Sequence, residues 1–176
     1  MILFFDCEFS SFATDAQLIS IGAVSECGGH TYYAELDSWH PEECSEFVLT
    51  VVIPLLEHSP KSRLSSTACC DSFISWIRAL GEPIEVVADS DWDWRMIQSL
   101  LGSCLHLHSP RSGWIDFIAT DRIAILFRQF DTLAAELVFQ KAASGTYNGR
   151  QHHALVDALA LRAGVLAVEG SYAGLA

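Results

Sequence analysis

The sequence is poor in basic residues, with 10 lysines and arginines against 22 aspartates and glutamates and a formal net charge of −12. A protein that coats nucleic acid through its overall charge needs many basic side chains to neutralise phosphates, so this class is excluded. The shortage does not exclude a local site in which metal ions reverse the charge. Hydrophobic residues make up 51% of the 176 positions. This composition excludes intrinsic disorder, and the length fits a single domain over 1–176.

Membrane and zinc-binding signatures are also missing. No apolar run reaches the roughly 18–20 residues of a membrane span, and the stretch MILFFDCEF lacks the positive region of a signal peptide. None of the six cysteines forms a CxxC pair or has zinc-ligand spacing with a histidine. We therefore expect reduced thiols, including the adjacent Cys69 and Cys70, a cytoplasmic location and no membrane partner.

The N-terminal part of the chain predicts three strands. An apolar run over 1–8 ends in acids, and the segments 17–24 and 30–36 are rich in apolar and β-branched residues. Gly28 and Gly29 supply a turn between the second and third segments. The pattern predicts an antiparallel meander.

The rest of the chain alternates between helical and strand patterns, which is typical of a mixed α/β domain. Residues 103–131 give no readable pattern. The expected elements are a helix over 41–56 broken near Pro54, a polar linker over 59–66, a helix from a Ser66 or Thr67 cap to about Leu80, a strand over 84–88, helices over 92–101, 132–143 and 154–168, and a polar loop over 144–151.

Asp6 and Glu8 lie two positions apart at the end of the first predicted strand, so their side chains point to the same face. Two carboxylates this close repel each other unless a cation lies between them. Hard oxygen ligands suit Mg²⁺ or Mn²⁺. The alternative is that one acid caps a neighbouring loop while the other is solvated.

Three aspartates, Asp89, Asp91 and Asp93, follow the fourth predicted strand. Helix capping and interaction with the helix dipole explain one or two of them but not their density. Two of them alternate with tryptophans, which argues against simple solvation. We predict that one of the three reaches a metal.

His152 and His153 precede the predicted helix over 154–168, and Asp157 lies in its first turns. Positions five apart do not share a helix face, but His152 and Asp157 converge if His152 lies on the loop before the helix. A histidine that titrates near neutral pH is suited to be the general base for a metal-bound water. The alternative is that both histidines are polar residues of a helix start.

The order of these elements resembles the DEDDh family of 3′–5′ exonucleases, which includes DnaQ-like and RNase T-like enzymes. The D-x-E pair alone is a weak motif, but the ordered set ending in H-x4-D is specific. Within the family the chain looks most like the small, stand-alone bacterial and phage exoribonuclease-like domains, over nearly its whole length. The matching stretches are FFDCEF at 4–9, LISIGAV at 18–24, DWDW at 91–94 and HHALVDA at 152–158.

The resemblance implies an α/β, ribonuclease H-like fold: a mixed central β-sheet with an antiparallel three-stranded start, flanked by helices. It also implies catalytic roles for five residues. Asp6 would bridge two Mg²⁺ ions, for which Mn²⁺ can substitute. Glu8 and Asp157 would bind the ion that activates water, and Asp93 would support the second ion. His152 would take the proton from the attacking water.

Two of these assignments are choices between neighbours. Asp93 is preferred to Asp91 because it precedes the helical run RMIQSLLG, where the family places its acid. Asp91 and Asp89 stay open as assisting acids. His152 is preferred to His153 because only His152 gives the five-residue step to the acid of the last motif.

The implied activity is a metal-dependent 3′–5′ exonuclease that releases nucleoside 5′-monophosphates from the 3′ end of single-stranded nucleic acid. RNA is favoured over DNA because of the small relatives that the chain resembles, many of which form homodimers. The family commonly places residues after the first strand against the terminal nucleotide; here these are Phe9, Ser10, Ser11 and Phe12. A phenylalanine can stack on a base, although Phe9 can equally be part of the core.

Two other functions stay open at this point. A catalytically weak or inactive nuclease fold can serve as a nucleic-acid or protein binding module, and loss of a motif residue would mark it. All four acids and the histidine are present. The acidic composition is also compatible with a nuclease specific for short oligonucleotides.

Overall fold

Seven of the described segments form one mixed β-sheet. The computed structural model describes residues 1–82, 84–102, 114–116, 124–129 and 150–173. The strands are β1 (Ile2–Phe9), β2 (Leu18–Ser25), β3 (Thr31–Leu36), β4 (Arg63–Leu64), β5 (Ile84–Ala88), β6 (Trp114–Asp116) and β7 (Ala124–Gln129). The helices are α1 (Ser66–Ala79), α2 (Asp91–Gly102) and α3 (Ala154–Ala173). The strand order is β4-β3-β2-β1-β5-β7-β6.

The first three strands form the predicted antiparallel meander. β1 pairs with β2, with Phe4 opposite Val24, and β2 pairs with β3, with Ile21 opposite Ala34. Gly28 has a φ of +75° in the connection between β2 and β3, a conformation that glycine adopts without steric cost. The prediction from the glycine pair and the flanking apolar runs is confirmed.

β1 is also the strand at which the sheet changes from antiparallel to parallel pairing. On its other side it runs parallel to β5, and β5 runs parallel to β7. β6 is an antiparallel edge strand beside β7. The carboxyl ends of β1 and β5 therefore lie at the same edge of the sheet, where open α/β sheets bind their ligands.

Helices cover both faces of the sheet, because alternate residues of each strand bury their side chains on opposite sides. On β1, Phe5 packs into a core with α1 and α2, whereas Phe4 packs against α3. Asp6 and Glu8 share the face of Phe4, so their carboxylates lie on the α3 side. The sheet thus places the first two acids beneath the start of α3.

Gly22 on β2 lets α3 approach the sheet directly. A Cβ atom at this position would overlap the backbone of Ala154 and Leu155, which form the first turn of α3. Only a residue without a side chain fits such a backbone contact. The contact fixes the start of α3, and with it His153 and Asp157, over the middle of the sheet.

The segment over 41–56 differs from the predicted helix. It forms three short turns: a 3₁₀ turn at Pro41–Glu43, a π-helical turn at Val48–Val52 and a 3₁₀ turn at Ile53–Leu55. A run of β-branched residues lowers helix propensity, and Pro54 cannot donate a backbone hydrogen bond. The apolar spacing still marks the buried side, since Val48, Val52 and Leu56 pack on Ile19.

The start of α1 lies next to the predicted cap. Ser65 is the N-cap, and its hydroxyl accepts a hydrogen bond from the Ala68 amide at 3.3 Å, so the assignment of Ser66 or Thr67 was wrong. Three hydroxyl residues stand in a row here, and local sequence does not choose among them. The segment interpreted as a polar linker also contains the short edge strand β4, which pairs with β3.

Some expectations fall outside the described residues, including the helix over 132–143 and most of the polar loop over 144–151. In the unreadable stretch 103–131, two pieces are described, β6 and β7. Cys69 and Cys70 are both buried in α1, and neither forms a disulfide with another described residue. Of the helices described, none is both long and apolar enough to span a membrane.

Candidate active site

A crevice opens where β1 and β5 separate. The paired register of these parallel strands ends at Phe4 and Val87, so the last residues of β1 have no partner on that side in the β1–β5 register. Asp6 and Glu8 lie on this part of β1, and Asp89 directly follows β5. Parallel strand ends therefore bring three carboxylates from two distant parts of the sequence to one place.

The first group of potential metal ligands consists of Asp6, Asp89 and Asp93, whose carboxylate oxygens approach within 4.8 Å of one another. Asp93 is held firmly. Its Oδ1 accepts a hydrogen bond from the Cys7 amide at 3.0 Å, and its Oδ2 accepts one from the Ser90 hydroxyl at 2.7 Å. Ser90 in turn accepts from the Asp93 amide at 3.3 Å, the bond expected of a serine that precedes a helix.

The second group consists of Glu8, His152 and Asp157, whose ligand atoms also lie within 4.8 Å of one another. Asp157 lies in the first turn of α3, and its Oδ2 accepts a hydrogen bond from the His152 amide at 2.7 Å. This bond brings the loop before α3 over the end of β1. The convergence that the five-residue spacing allowed is present in the structure.

Burial raises the pKa of all four acids that the sequence predicted as metal ligands. It raises the pKa of Glu8 to about 8, with the charges of Asp157 and Asp93 adding to the effect. It raises the pKa of Asp157 to about 7, and those of Asp6 and Asp93 well above their usual range. The negative charge of Asp89 contributes to each of these four increases.

Two buried oxygens in the site have no hydrogen-bond partner within the described part of the chain: Asp6 Oδ2 and Asp157 Oδ1. An unsatisfied buried oxygen is costly, and several buried carboxylates that repel one another are costlier still. A divalent cation would satisfy both conditions, because hard oxygen donors are its preferred ligands. The residues present therefore fit two such ions.

His152 is held in an uncommon backbone conformation, with a φ of +72°. Phe47 packs edge-on against its imidazole, with ring centroids 4.9 Å apart and planes at 89°. Partial burial lowers the pKa of His152, so the ring is neutral and able to accept a proton at neutral pH. A non-glycine residue with positive φ persists only where its surroundings hold it, which is common at functional sites.

A cavity of about 620 Å³ joins both groups to an apolar wall. Its acidic side consists of the carboxylates and His152. Apolar side chains line another part of it: Phe47, Val48 and Val52, which form the apolar wall, together with Phe9 and Phe12. The acidic residues are suited to cations and phosphate, and the apolar residues to a flat or apolar group of a ligand.

Phe9 and Phe12, which line this cavity, belong to an aromatic cluster with Trp92. Phe9 stacks on Trp92 at 5.7 Å between centroids, and Phe12 lies edge-on to both rings. The guanidinium of Arg95 lies 5.1 Å from the centre of the Trp92 ring. Phe12 is 78% exposed, so most of its ring is open to a ligand.

The structure brings together all five predicted catalytic residues, since Asp6, Glu8, Asp93, His152 and Asp157 line the same cavity. Phe9 and Phe12 line it too. Ser10 does not: it is buried, and its hydroxyl accepts a hydrogen bond from the Gln17 amide at 2.9 Å. Its neighbour Ser11 does line the cavity.

Sequence reasoning missed part of the site. Asp89 was left only as a possible assisting acid, yet it shares a ligand group with Asp6 and Asp93, whereas Asp91 is exposed and in neither group. The available signal was the position of Asp89 directly after a buried strand. The wall formed by Phe47, Val48 and Val52 gave no signal, because a non-local contact brings it to the site.

Neither a family model nor a curated protein sequence matches this chain. Among solved structures, the chain is similar to S. pombe Pop2p in a form with Mg²⁺ and Mn²⁺ bound. The match covers 97% of this chain and 83% of that chain, with a TM-score of 0.59 and 14% sequence identity. This likeness confirms the fold class, a mixed sheet flanked by helices in a ribonuclease H-like α/β fold.

Proposed function

We propose that the chain is a metal-dependent 3′–5′ exonuclease that releases nucleoside 5′-monophosphates from the 3′ end of single-stranded nucleic acid, with RNA favoured over DNA. The observation that carries the proposal is the convergence of the five predicted residues in one cavity, where together with Asp89 they form two groups of three potential metal ligands. The fold shared with Pop2p, whose structure holds Mg²⁺ and Mn²⁺, supports it.

The two acidic groups would each hold one Mg²⁺ ion, or Mn²⁺ in its place. Asp6, Asp89 and Asp93 would hold one ion and Glu8 and Asp157 the other, and the resemblance implies that Asp6 would serve both. Two such ions stabilise the attacking and leaving oxygens of an in-line displacement at phosphorus. Since Mg²⁺ prefers oxygen ligands, the imidazole of His152 is left for proton transfer.

His152 would act as the general base. Its neutral ring accepts the proton of the attacking water, and its place beside Glu8 and Asp157 puts it in the group that would bind that water. The hydrogen bond from its amide to Asp157 and the edge contact with Phe47 limit the motion of the ring. Orientation of this kind lowers the entropic cost of the reaction.

The apolar side of the cavity would bind the terminal nucleotide. Phe12 offers an exposed ring for stacking on a base, a contact of about 1–3 kcal/mol that tolerates any base. Phe9 holds the Phe12 ring in place, because it contacts both Phe12 and Trp92. Ser11 replaces Ser10 as the hydroxyl available to the ligand, since the Ser10 hydroxyl bonds to Gln17.

The preference for RNA, the cytoplasmic location and the homodimer rest on the resemblance to small exoribonuclease-like domains. A homodimer would help to hold a phosphate backbone on a chain with a net charge of −12, by bringing basic residues of a second copy to the cleft. The same charge also favours a second candidate, a nuclease restricted to short oligonucleotides. Rates on an RNA series from dinucleotides upwards would distinguish the two.

Incubation with 5′-labelled RNA and DNA oligonucleotides in Mg²⁺ tests the proposal. We expect stepwise shortening from the 3′ end, faster for RNA, and no shortening by the Asp6→Ala protein or in EDTA. The Asp91→Asn protein is the matched control, since Asp91 is an exposed acid outside both groups. Intact substrates, or equal shortening by the Asp6→Ala protein, would refute the enzyme function.

A further inference from the structure

Glu35 on β3 is a buried carboxylate that belongs to neither metal group. Its side chain is only 2% exposed. Its Oε1 accepts hydrogen bonds from the Tyr33 hydroxyl at 2.9 Å and from the Glu57 amide at 2.6 Å. The His58 amide donates to both carboxylate oxygens at 3.2 Å. Burial of a carboxylate is costly, and these donors compensate for it.

One set of these bonds holds the segment that forms the apolar wall. The segment runs from Phe47 to Leu56 and ends where Glu35 binds the next two amides. His58 has a φ of +52°, so the chain turns sharply at the point where it is bound. Arg150, two residues before His152, donates to the Leu55 carbonyl at 3.3 Å. The end of the wall is thus fixed both to the sheet and to the loop that carries the proposed base.

The hydrogen bond between Tyr33 and Glu35 acts on His153, the residue next to His152. The Tyr33 ring stacks on the imidazole of His153, with centroids 4.5 Å apart and planes at 14°. His153 is 2% exposed, and neither of its ring nitrogens has a hydrogen-bond partner among the residues described. Stacking on Tyr33 therefore helps to set the orientation of the His153 ring. The hydrogen bond to Glu35 in turn orients the Tyr33 ring.

We propose that Glu35 is a positioning residue for His152. A single carboxylate fixes two neighbours of the imidazole: Phe47, through the segment that it anchors, and His153, through Tyr33. The consequence for catalysis rests on the proposed function, in which His152 is the base. The orientation of the ring is a separate property and is measurable without substrate.

Glu35→Gln tests the proposal, because it keeps the size of the side chain but leaves one acceptor oxygen for three donors. Tyr33→Phe removes only the hydrogen bond between the Tyr33 hydroxyl and Glu35, and it keeps the ring that stacks on His153. Glu57→Gln is the matched control: it also removes one negative charge, at a residue that Glu35 binds, but the Glu57 side chain is exposed and only its amide binds Glu35. The readout is the set of ring signals in NMR spectra of protein labelled with ¹⁵N-histidine. The signals of His152 are assigned by their loss in His152→Asn.

We expect the His152 signals to shift in Glu35→Gln and in Tyr33→Phe and to stay in place in Glu57→Gln. With RNA as substrate, kcat should fall roughly 10- to 100-fold in Glu35→Gln at nearly constant KM, because misplacement of a base affects the chemical step. Unshifted His152 signals in a folded Glu35→Gln protein would overturn the proposal. If that variant does not fold, Tyr33→Phe decides, and unchanged signals there overturn it. A wild-type protein without nuclease activity would refute the proposed function and leave the NMR test valid.

Discussion

Asp157 accepts a hydrogen bond from the backbone amide of His152 at 2.7 Å, across the start of α3. The bond closes the turn in which His152 has its positive φ. The same carboxylate belongs to the ligand group of Glu8. Asp157 therefore has two roles, one in the shape of the loop and one in the charge of the site.

Two substitutions at Asp157 separate these roles. Asp157→Asn keeps an oxygen that accepts the amide bond, whereas Asp157→Ala removes both bond and charge. We expect both to lower the proposed exonuclease activity by roughly 100-fold or more, through loss of a proposed metal ligand. In EDTA, the Ala variant should be about 1–3 kcal/mol less stable than the Asn variant because of the lost bond. Urea unfolding measures the difference, and equal stabilities would contradict the structural role.

The stability of the metal-free protein should fall as the pH rises from 6.5 to 8. The pKa of Glu8 is raised from 4.5 to about 8 and that of Asp157 from 3.8 to about 7. Folding therefore favours their protonated forms, and this contribution is lost as the pH rises through the raised values. The pKa of His152 and that of His153 are lowered from 6.5, so the histidines act in the opposite direction and mainly below this window.

Melting temperatures in EDTA at several pH values test this dependence. Millimolar Mg²⁺ should raise the melting temperature most at pH 8, because the cation binds the ionised carboxylates. A metal-free melting temperature that stays constant or rises between pH 6.5 and 8 would contradict the electrostatic account. An absence of any Mg²⁺ effect would count against the metal sites themselves.

Asp89→Asn should weaken metal binding and stabilise the metal-free protein. Asp89 shares a ligand group with Asp6 and Asp93, and its charge contributes to the raised pKa of both. Calorimetric titration with Mn²⁺ should show a loss of affinity of about 10-fold or more. Asp91→Asn, which changes an exposed neighbour, should bind Mn²⁺ like the wild type. If the two variants behave alike, Asp89 is not a ligand.

Phe12→Ala should weaken substrate binding with little loss of stability. The ring is 78% exposed, so its removal leaves no cavity in the core. Loss of stacking worth about 1–3 kcal/mol should raise KM roughly 5- to 150-fold. Leu49→Ala is a suitable control, since Leu49 is also exposed but does not line the cavity. An unchanged KM in Phe12→Ala would remove this ring from the proposed nucleotide site.

Gly22→Ala should displace the start of α3 and impair both stability and activity. The added methyl group would overlap the backbone of Ala154 and Leu155. We expect a loss of about 1–3 kcal/mol in the free energy of unfolding, in line with overpacking elsewhere. Gly102→Ala introduces the same methyl group where no atom of the described residues lies within 4 Å, and it should be tolerated. Equal effects of the two substitutions would show that the close contact is unimportant.

Local patterns were sufficient to predict the acids on β1 and the helix that carries Asp157. Alternation along a strand put Asp6 and Glu8 on one face, and the apolar run before them marked the strand. The boundaries of β5 were predicted because an apolar run is followed at once by aspartates. Each of these signals lies within a few residues of the feature that it predicts.

Features that depend on contacts between distant residues could not be predicted in this way. In the sequence, interaction with the dipole of the following helix is enough to explain Asp89. Only the parallel pairing of β1 with β5 shows that Asp89 lies close to Asp6. The partners of Glu35 at positions 57 and 58 are more than 20 residues away in the chain. The helix predicted over 41–56 is wrong. Its apolar spacing reflects which residues are buried against the sheet, whereas its β-branched residues and Pro54 disfavour a continuous helix.

The docking of α3 on Gly22 has a consequence for the order in which the site is assembled during synthesis. Asp6, Asp89 and Asp93 emerge from the ribosome well before Asp157, so a growing chain can assemble only the first acidic group. The second group is complete only when α3 has been made and has packed against β2. A chain still under synthesis therefore lacks the proposed base, and the proposed hydrolysis would begin only after the fold around α3 has closed.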